Sequence, residues 1–132
     1  MWVNKKPEYG DQIRVNRGFY FHHGIYESDD AVYHFASPIG SEISPETAVV
    51  HRTTLENFSK GSPVEVREYS EEELLNKRKP DEIIEYAKAH IGERGYNIVS
   101  NNCEHFSNRC AFGKSDSDQV KNVLNFLFGG GF

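Results

Sequence analysis

The stretch "SNNCEHFSNRC" (residues 100–110) sets a cysteine directly after two asparagines. Asn101 and Asn102 are favourable N-cap residues, so the pattern predicts a helix that begins at Cys103. A thiol at that position lies beside backbone N–H groups at the positive end of the helix dipole. Such surroundings lower the pKa of a cysteine and favour the nucleophilic thiolate. The stretch therefore indicates a reactive cysteine at a helix start.

A structural role for the same cysteine is the alternative. Phe106 and Cys110 follow Cys103 on one helix face, which we expect to point inward. On a helix the two sulfurs would lie about 10 Å apart, too far for a disulfide. Free cysteine is among the most buried residue types and commonly acts as a small hydrophobic side chain. From this stretch alone the structural role is favoured over the catalytic one. A base elsewhere in the chain that could activate the thiol would favour the catalytic role.

Chain length and charge restrict the classes of protein that remain. A chain of 132 residues has the usual size of one domain, so a single domain over 1–132 is predicted. The formal net charge of −5 argues against a nucleic-acid partner, which requires a basic face. No stretch approaches the roughly 18 apolar residues of a membrane span, and no secretory signal is recognisable. Free thiols in a cytoplasmic protein without a transmembrane anchor are therefore expected.

Predicted strands come first along the chain and predicted helices follow. Five segments have the composition or alternation of strands, at 11–15, 19–27, 31–37, 48–54 and 62–69. Ser70 and Glu73 form a capping box for a helix that ends before Pro80, and a second helix is predicted over 80–92. A strand at 96–100, the helix at Cys103 and a helix within 115–128 complete the order. This order predicts an α+β fold with an antiparallel sheet packed against helices.

Three histidines on a predicted hairpin are candidate bases for the thiol. His22 and His23 belong to its first strand and His34 to its second. Alternation along a strand sends His22 and His23 to opposite faces. A three-residue loop at 28–30 would place His22 and His34 on one face as diagonal neighbours, within reach of each other. The same register turns His23 to the other face, away from Cys103.

Three segments together resemble the lecithin:retinol acyltransferase family, which includes phospholipid acyltransferases and phospholipases. They are "GDQIRVNRGFYFHHGIY" (10–26), "VYHFASP" (32–38) and "NNCEHF" (101–106). The resemblance extends over about 10–123 and leaves 129–132 as a flexible tail. It implies a circularly permuted papain-like fold of the NlpC type, in which the strand with the histidine precedes the helix with the cysteine.

The resemblance also implies roles for individual residues. The Asn-Cys-Glu-His-Phe box places the nucleophile at Cys103, the histidine before His-Gly-Ile-Tyr makes His22 the base, and His34 is the second histidine. Expected at the oxyanion and substrate-binding positions are Arg17, Tyr20 and Asn102. The implied activity is acyl transfer or phospholipase-like hydrolysis through a thioester on Cys103. A lipid or another acyl ester would be the substrate, and no cofactor or metal is expected.

Other functions remain open at this stage. The chain could be a catalytically silent binding or recruitment module of the same fold, or a papain-like amidase or peptidase. Cys103, His22, His34 and His105 include ligand types that zinc accepts, but the sequence lacks a paired ligand motif. An apolar stripe within 120–127 could contact a membrane surface, although core packing is its more common use.

Overall fold

The computed structural model describes residues 1–113. Its centre is a six-stranded antiparallel sheet in the order β1-β6-β2-β3-β4-β5. The strands are β1 (Trp2–Asn4), β2 (Gln12–Asn16), β3 (Phe21–Ser28), β4 (Ala31–Ala36), β5 (Val49–Thr53) and β6 (Val64–Arg67). The predicted helix within 115–128 and the tail at 129–132 lie outside the described residues.

Four helices accompany the sheet and confirm the α+β class. They are α1 (Leu55–Ser59), α2 (Glu71–Asn76), α3 (Pro80–Ala89) and α4 (Cys103–Phe112). Ser70 and Glu73 exchange the two hydrogen bonds of the predicted capping box at the start of α2. Asn102 caps the start of α4, and Gly113 ends this helix in the left-handed conformation with φ of 73°. The helix predicted to begin at Cys103 is therefore confirmed.

Several local structures differ from the sequence-based prediction. Strand β1 was not predicted, and Ser28 pairs with Ala31, so the hairpin loop has two residues and not the predicted three. The strand predicted at 96–100 is wrong, because the segment is a turn with a single bridge between Asn97 and Asn101. The side chain of Asn97 accepts hydrogen bonds from the N–H groups of Val99 and Ser100, which is how asparagine competes with strand pairing. Helix α1 was not predicted at all, although Thr54 caps it.

The two faces of the sheet carry separate buried clusters. On one face, here called the α4 face, α3 and α4 cover Ile25 and Phe35. On the other, here called the α1 face, helix α1 places Phe58 against Val15 and Tyr26. Because side chains alternate along β3, odd-numbered residues of this strand point to the α4 face and even-numbered residues to the α1 face.

Strands β3 and β4 pair at one end and diverge at the other. Their main-chain pairing stops after Ile25 and Tyr33. Strand β3 nevertheless stays paired with β2 as far as Phe21, and β4 stays paired with β5 as far as Ala36. The edge of β3 that faces β4 is therefore open at residues 21–24.

A glycine lies within this open edge and allows close packing of an aromatic ring. A Cβ atom at Gly24 would lie 2.7 Å from Cε2 of Phe58 and 3.1 Å from Cγ1 of Val32. Real Cβ atoms do not approach other atoms so closely, so the position requires glycine. The ring of Phe58 consequently packs directly against the backbone of β3.

Candidate active site

The thiol of Cys103 lies against the open edge of β3. The backbone groups of Tyr20 and Tyr26 form hydrogen bonds on the β2 side of the strand. Because these groups alternate in direction along a strand, the N–H and C=O groups of Phe21 and His23 point toward β4. The Cys103 Sγ is 3.9 Å from the Phe21 carbonyl oxygen, and the backbone N–H of His23 donates to the sulfur. The divergence of β3 and β4 thus leaves backbone groups that contact the thiol.

Cys103 is a buried, protonated thiol at rest. Its side chain is 4% exposed, and burial raises its pKa to about 11, although the hydrogen bond from the His23 N–H acts in the opposite direction. The expectation of a lowered thiol pKa is therefore wrong. Asn102 Oδ1 accepts the N–H groups of Glu104 and His105, at 3.0 and 3.2 Å, and these are groups that were expected to stabilise the thiolate.

His22 and His34 are in direct contact on the α1 face. His22 Nε2 lies 2.8 Å from His34 Nδ1, which confirms the predicted proximity of these two side chains. Burial lowers the pKa of His22 to about 4 and that of His34 well below its usual value. Within residues 1–113, His22 Nδ1 and His34 Nε2 have no hydrogen-bond partner. Both rings are therefore neutral near pH 7, and each keeps one nitrogen available.

Glu42 supports this pair and was not found from the sequence. Its carboxylate accepts hydrogen bonds from Arg17 Nε, at 2.8 Å, and from the hydroxyl of Tyr20, and it lies 3.9 Å from His22 Nε2. Burial opposes ionisation of Glu42, but the hydrogen bond from Arg17 and the proximity of His22 hold its pKa below the usual value. Nothing in the sequence around "SPIGSE" indicates this contact, because the loop that carries Glu42 has no periodic pattern.

A cavity of about 400 Å³, here called the thiol cavity, opens beside Cys103. Its aromatic and polar walls include Tyr20, Phe21, His23, Tyr96 and Asn102. The structure therefore brings Tyr20 and Asn102 to the thiol. Arg17 does not line this cavity, since its guanidinium bonds to Glu42 and to carbonyl groups of α1.

The position of His23 differs from the prediction. The register does send His22 and His23 to opposite faces, but helix α4 packs on the face of His23. His23 consequently lines the thiol cavity together with Cys103, and its Nε2 lies 3.7 Å from a carboxylate oxygen of Glu104. Burial lowers the pKa of His23 to about 3. The expectation that His23 points away from Cys103 is wrong, because alternation alone does not say which face the cysteine helix covers.

Residues 1–113 hold neither a metal-binding cluster nor a membrane-spanning helix. Among residues 1–113, no group of three or more His, Cys, Asp or Glu side chains is arranged to hold a metal ion. His105 instead caps its own helix, since its Nδ1 accepts the N–H of Asn102 at 3.1 Å. No helix within the same residues has the length and apolar character needed to cross a bilayer.

Comparison with known proteins agrees with the resemblance noted in the sequence. Residues 5–116 match the family model described as lecithin retinol acyltransferase. "Phospholipase A and acyltransferase 3" of Homo sapiens is 30% identical over 131 residues, which cover 90% of this chain and 79% of that protein. "Phospholipase A and acyltransferase 4" of Homo sapiens is 34% identical over 128 residues, with 89% and 77% covered. "Phospholipase A and acyltransferase 5" of Rattus norvegicus is also 34% identical over 128 residues, which cover 92% of this chain and 44% of that protein.

The chain belongs to the lecithin retinol acyltransferase family. Its relatives carry names of the phospholipase and acyltransferase type, and this supports an enzyme of that broad type.

Proposed function

We propose that the protein is a thiol-dependent acyltransferase or acyl hydrolase that forms a thioester on Cys103. The observation that carries this proposal is the position of the thiol on the backbone of Phe21 and His23, the two neighbours of His22. A nucleophile, a base and a group that orients the base are the parts that acyl transfer through a thioester requires. Cys103, His22 and His34 are assigned these three roles.

The mechanism begins from a neutral thiol and a neutral imidazole. As the sulfur attacks the ester carbonyl, the thiol proton passes to Nδ1 of His22, because Nε2 is engaged with His34. Collapse of the tetrahedral intermediate breaks the ester bond, and the leaving oxygen takes the proton from His22. An amine, alcohol or water then loses a proton to His22 and attacks the thioester, which releases the acyl product and restores the thiol.

The oxyanion would be stabilised by the backbone N–H of Cys103 at the start of α4, because the N–H groups of Glu104 and His105 already donate to Asn102 Oδ1. Asn102 positions that turn by capping it, and Tyr20 lines the cavity in which the ester must lie. Arg17 acts on His22 only indirectly. Its hydrogen bond orients Glu42, whose carboxylate lies beside His22. In this assignment Arg17 is a positioning residue and does not contact the oxyanion.

A lipid ester is the substrate class that we propose, and a membrane surface is its source. Relatives are named for phospholipase A and acyltransferase activity, and the thiol cavity has largely aromatic and aliphatic walls. Two turns in its wall present apolar side chains to solvent, with Phe19 103% and Ile98 59% exposed. Peripheral contact of these turns with a bilayer would let an acyl chain enter the cavity without crossing water.

Intact mass spectrometry after incubation with mixed phospholipids tests the proposed function. The wild-type protein and Cys110→Ala should gain one acyl mass, whereas Cys103→Ala should gain none. Cys110 is fully buried in the α4-face cluster, so its substitution is expected to lower stability without removing the adduct. An adduct on Cys103→Ala, or its absence from the wild-type protein, would disprove the assignment.

A further inference from the structure

A second cavity lies on the α1 face of the sheet, behind the histidine pair. It has a volume of about 570 Å³ and is here called the rear cavity. The residues that matter for its chemistry are His34, Glu42, His51, Glu56 and Lys60. The rear cavity and the thiol cavity share no lining residue, so His34 of the pair borders a space that is separate from the one beside the thiol.

His51 is a third histidine in line with the pair. It lies directly opposite His34 across β4 and β5, with ring centroids 4.3 Å apart. The Nε2 atoms of both rings are buried and have no partner among the described residues. His34 is only 7% exposed, so its unpaired nitrogen is a costly feature unless the rear cavity supplies a partner.

The proposed role of His22 determines the tautomer of His34. If Nδ1 of His22 is to accept the thiol proton, the ring proton of His22 must be on Nε2. That N–H then donates to His34 Nδ1, which leaves the proton of His34 on Nε2. His34 therefore offers an N–H donor to the rear cavity, and one water has the size and polarity to accept it and to donate to His51 Nε2.

Neither buried histidine is a stable place for a second proton. Burial lowers the pKa of His22 to about 4 and that of His34 well below its usual value. Glu42 is the nearest carboxylate, but it is already engaged by Arg17 and the hydroxyl of Tyr20. A proton that His22 takes from Cys103 is therefore expected to transfer onward, to the solvated side of the pair.

The remaining charged groups of the rear cavity do not block this path. Lys60 pairs with Glu42 at 3.8 Å, and its side chain is largely exposed. Glu56 lies at the exposed wall. His51 is partly exposed, so a positive charge on its ring can be solvated.

We propose that the rear cavity is a proton-exchange site in which a water links His34 Nε2 to His51 Nε2. This inference rests on the proposed function of the histidine pair. As the S–H bond of Cys103 breaks, a proton arrives at Nδ1 of His22, and the Nε2 proton of His22 moves to Nδ1 of His34. The Nε2 proton of His34 moves to the water, and a water proton moves to His51. The same steps in reverse return the proton when the leaving oxygen needs it.

The rate of alkylation of Cys103 by iodoacetamide tests this site without any lipid. His51→Ala should slow alkylation about tenfold near neutral pH, because the relay ends at His34. Added imidazole, which fits the space left by the ring, should restore the rate, whereas the same concentration of sodium chloride should not. His51→Gln keeps a hydrogen-bonding side chain but cannot carry a proton, and it should be as slow as His51→Ala. His90→Ala, outside both cavities, is the matched control and should react like the wild-type protein.

The outcomes separate this site from the proposed function. Wild-type rates in both His51 variants would overturn the relay, as would a slow His51→Ala protein that does not respond to imidazole while its thermal unfolding is unchanged. If His51→Ala fails to fold, a wild-type alkylation rate in His51→Gln would by itself overturn the relay. Because iodoacetamide needs no acyl group, failure of acyl-adduct formation would count against the thioester chemistry and not against the relay.

Discussion

His22 Nε2 and His34 Nδ1 lie 2.8 Å apart on two strands whose main chains have already stopped pairing. At the open end of β3, a bond between side chains replaces the backbone ladder. This bond commits one nitrogen of His22 and leaves the other, Nδ1, without a partner among residues 1–113. The pair therefore connects the architecture of the sheet to the chemistry proposed for Cys103.

The first prediction ranks the three histidines of the hairpin. His22→Ala should reduce acyl turnover by about three orders of magnitude, since it removes the proposed base. His34→Ala should reduce it less, because His22 would remain without its orienting partner. His23→Ala should keep most activity. Steady-state turnover of a short-chain ester would measure all three, and a His23 variant as inactive as His22→Ala would assign the base to the wrong ring.

The second prediction concerns the pH dependence of thiol reactivity. The pKa of His22 is lowered to about 4 and that of Cys103 raised to about 11, so both groups are neutral throughout that interval. Alkylation that uses His22 as base should therefore be nearly independent of pH from about 5 to 9. In His22→Gln the rate should be lower and should rise about tenfold per pH unit, because only the free thiolate reacts. A wild-type profile with that same slope would show that the thiol does not use His22.

The third prediction is a loss of stability in acid. The folded-state pKa of His22 is about 4 and that of His23 about 3, whereas an unfolded histidine has a pKa near 6.5. Below about pH 6.5 the unfolded chain binds these protons and the folded protein does not, so the free energy of unfolding falls as pH falls. Each histidine should contribute a slope of about 1.4 kcal/mol per pH unit between about pH 6 and its folded pKa. Urea unfolding at a series of pH values would measure it, and His23→Gln should show a shallower slope than the wild-type protein.

The fourth prediction concerns the glycine under the aromatic ring of α1. Gly24→Ala should destabilise the protein by about 1–3 kcal/mol, because its Cβ would overlap the ring of Phe58. Adding Phe58→Leu to Gly24→Ala should recover part of that loss, since the smaller side chain leaves room. Thermal or urea unfolding of the two single variants and the double variant would measure the coupling. Purely additive effects would contradict a direct contact.

The fifth prediction tests contact with a bilayer. Phe19→Ser should weaken co-sedimentation with phosphatidylcholine vesicles, because it removes a fully exposed aromatic side chain that lines the thiol cavity. Leu75→Ser is the matched control, since Leu75 is 84% exposed but lies on α2. It should bind vesicles like the wild-type protein. Equal weakening in both variants would indicate general loss of apolar surface instead of a docking site.

Local sequence signals predicted much of this fold. Asn102 before Cys103, the Ser70 capping box and the alternation in the hairpin each act over a few residues, and each was read correctly. The contact of His22 with His34 also followed from register, because residues that share a face of a hairpin can be counted. Such features depend on local geometry and so remain visible in one chain.

Features that depend on packing between distant elements were not visible. The face chosen by α4 decided that His23 lines the thiol cavity, and no count along β3 reveals that choice. Glu42 reaches His22 from an irregular loop, and His51 faces His34 only because β5 pairs with β4. The raised pKa of Cys103 has the same origin, since burial by the rest of the fold outweighs the helix start.

The burial of Cys103 also determines how readily its thiol is oxidised. The thiolate is the form that attacks peroxide, and the yield of sulfenic acid follows exposure and thiolate content. A thiol that is protonated at rest and 4% exposed offers little of either. The thiol of Cys103 should therefore stay reduced through oxidative stress that inactivates enzymes with exposed thiolates.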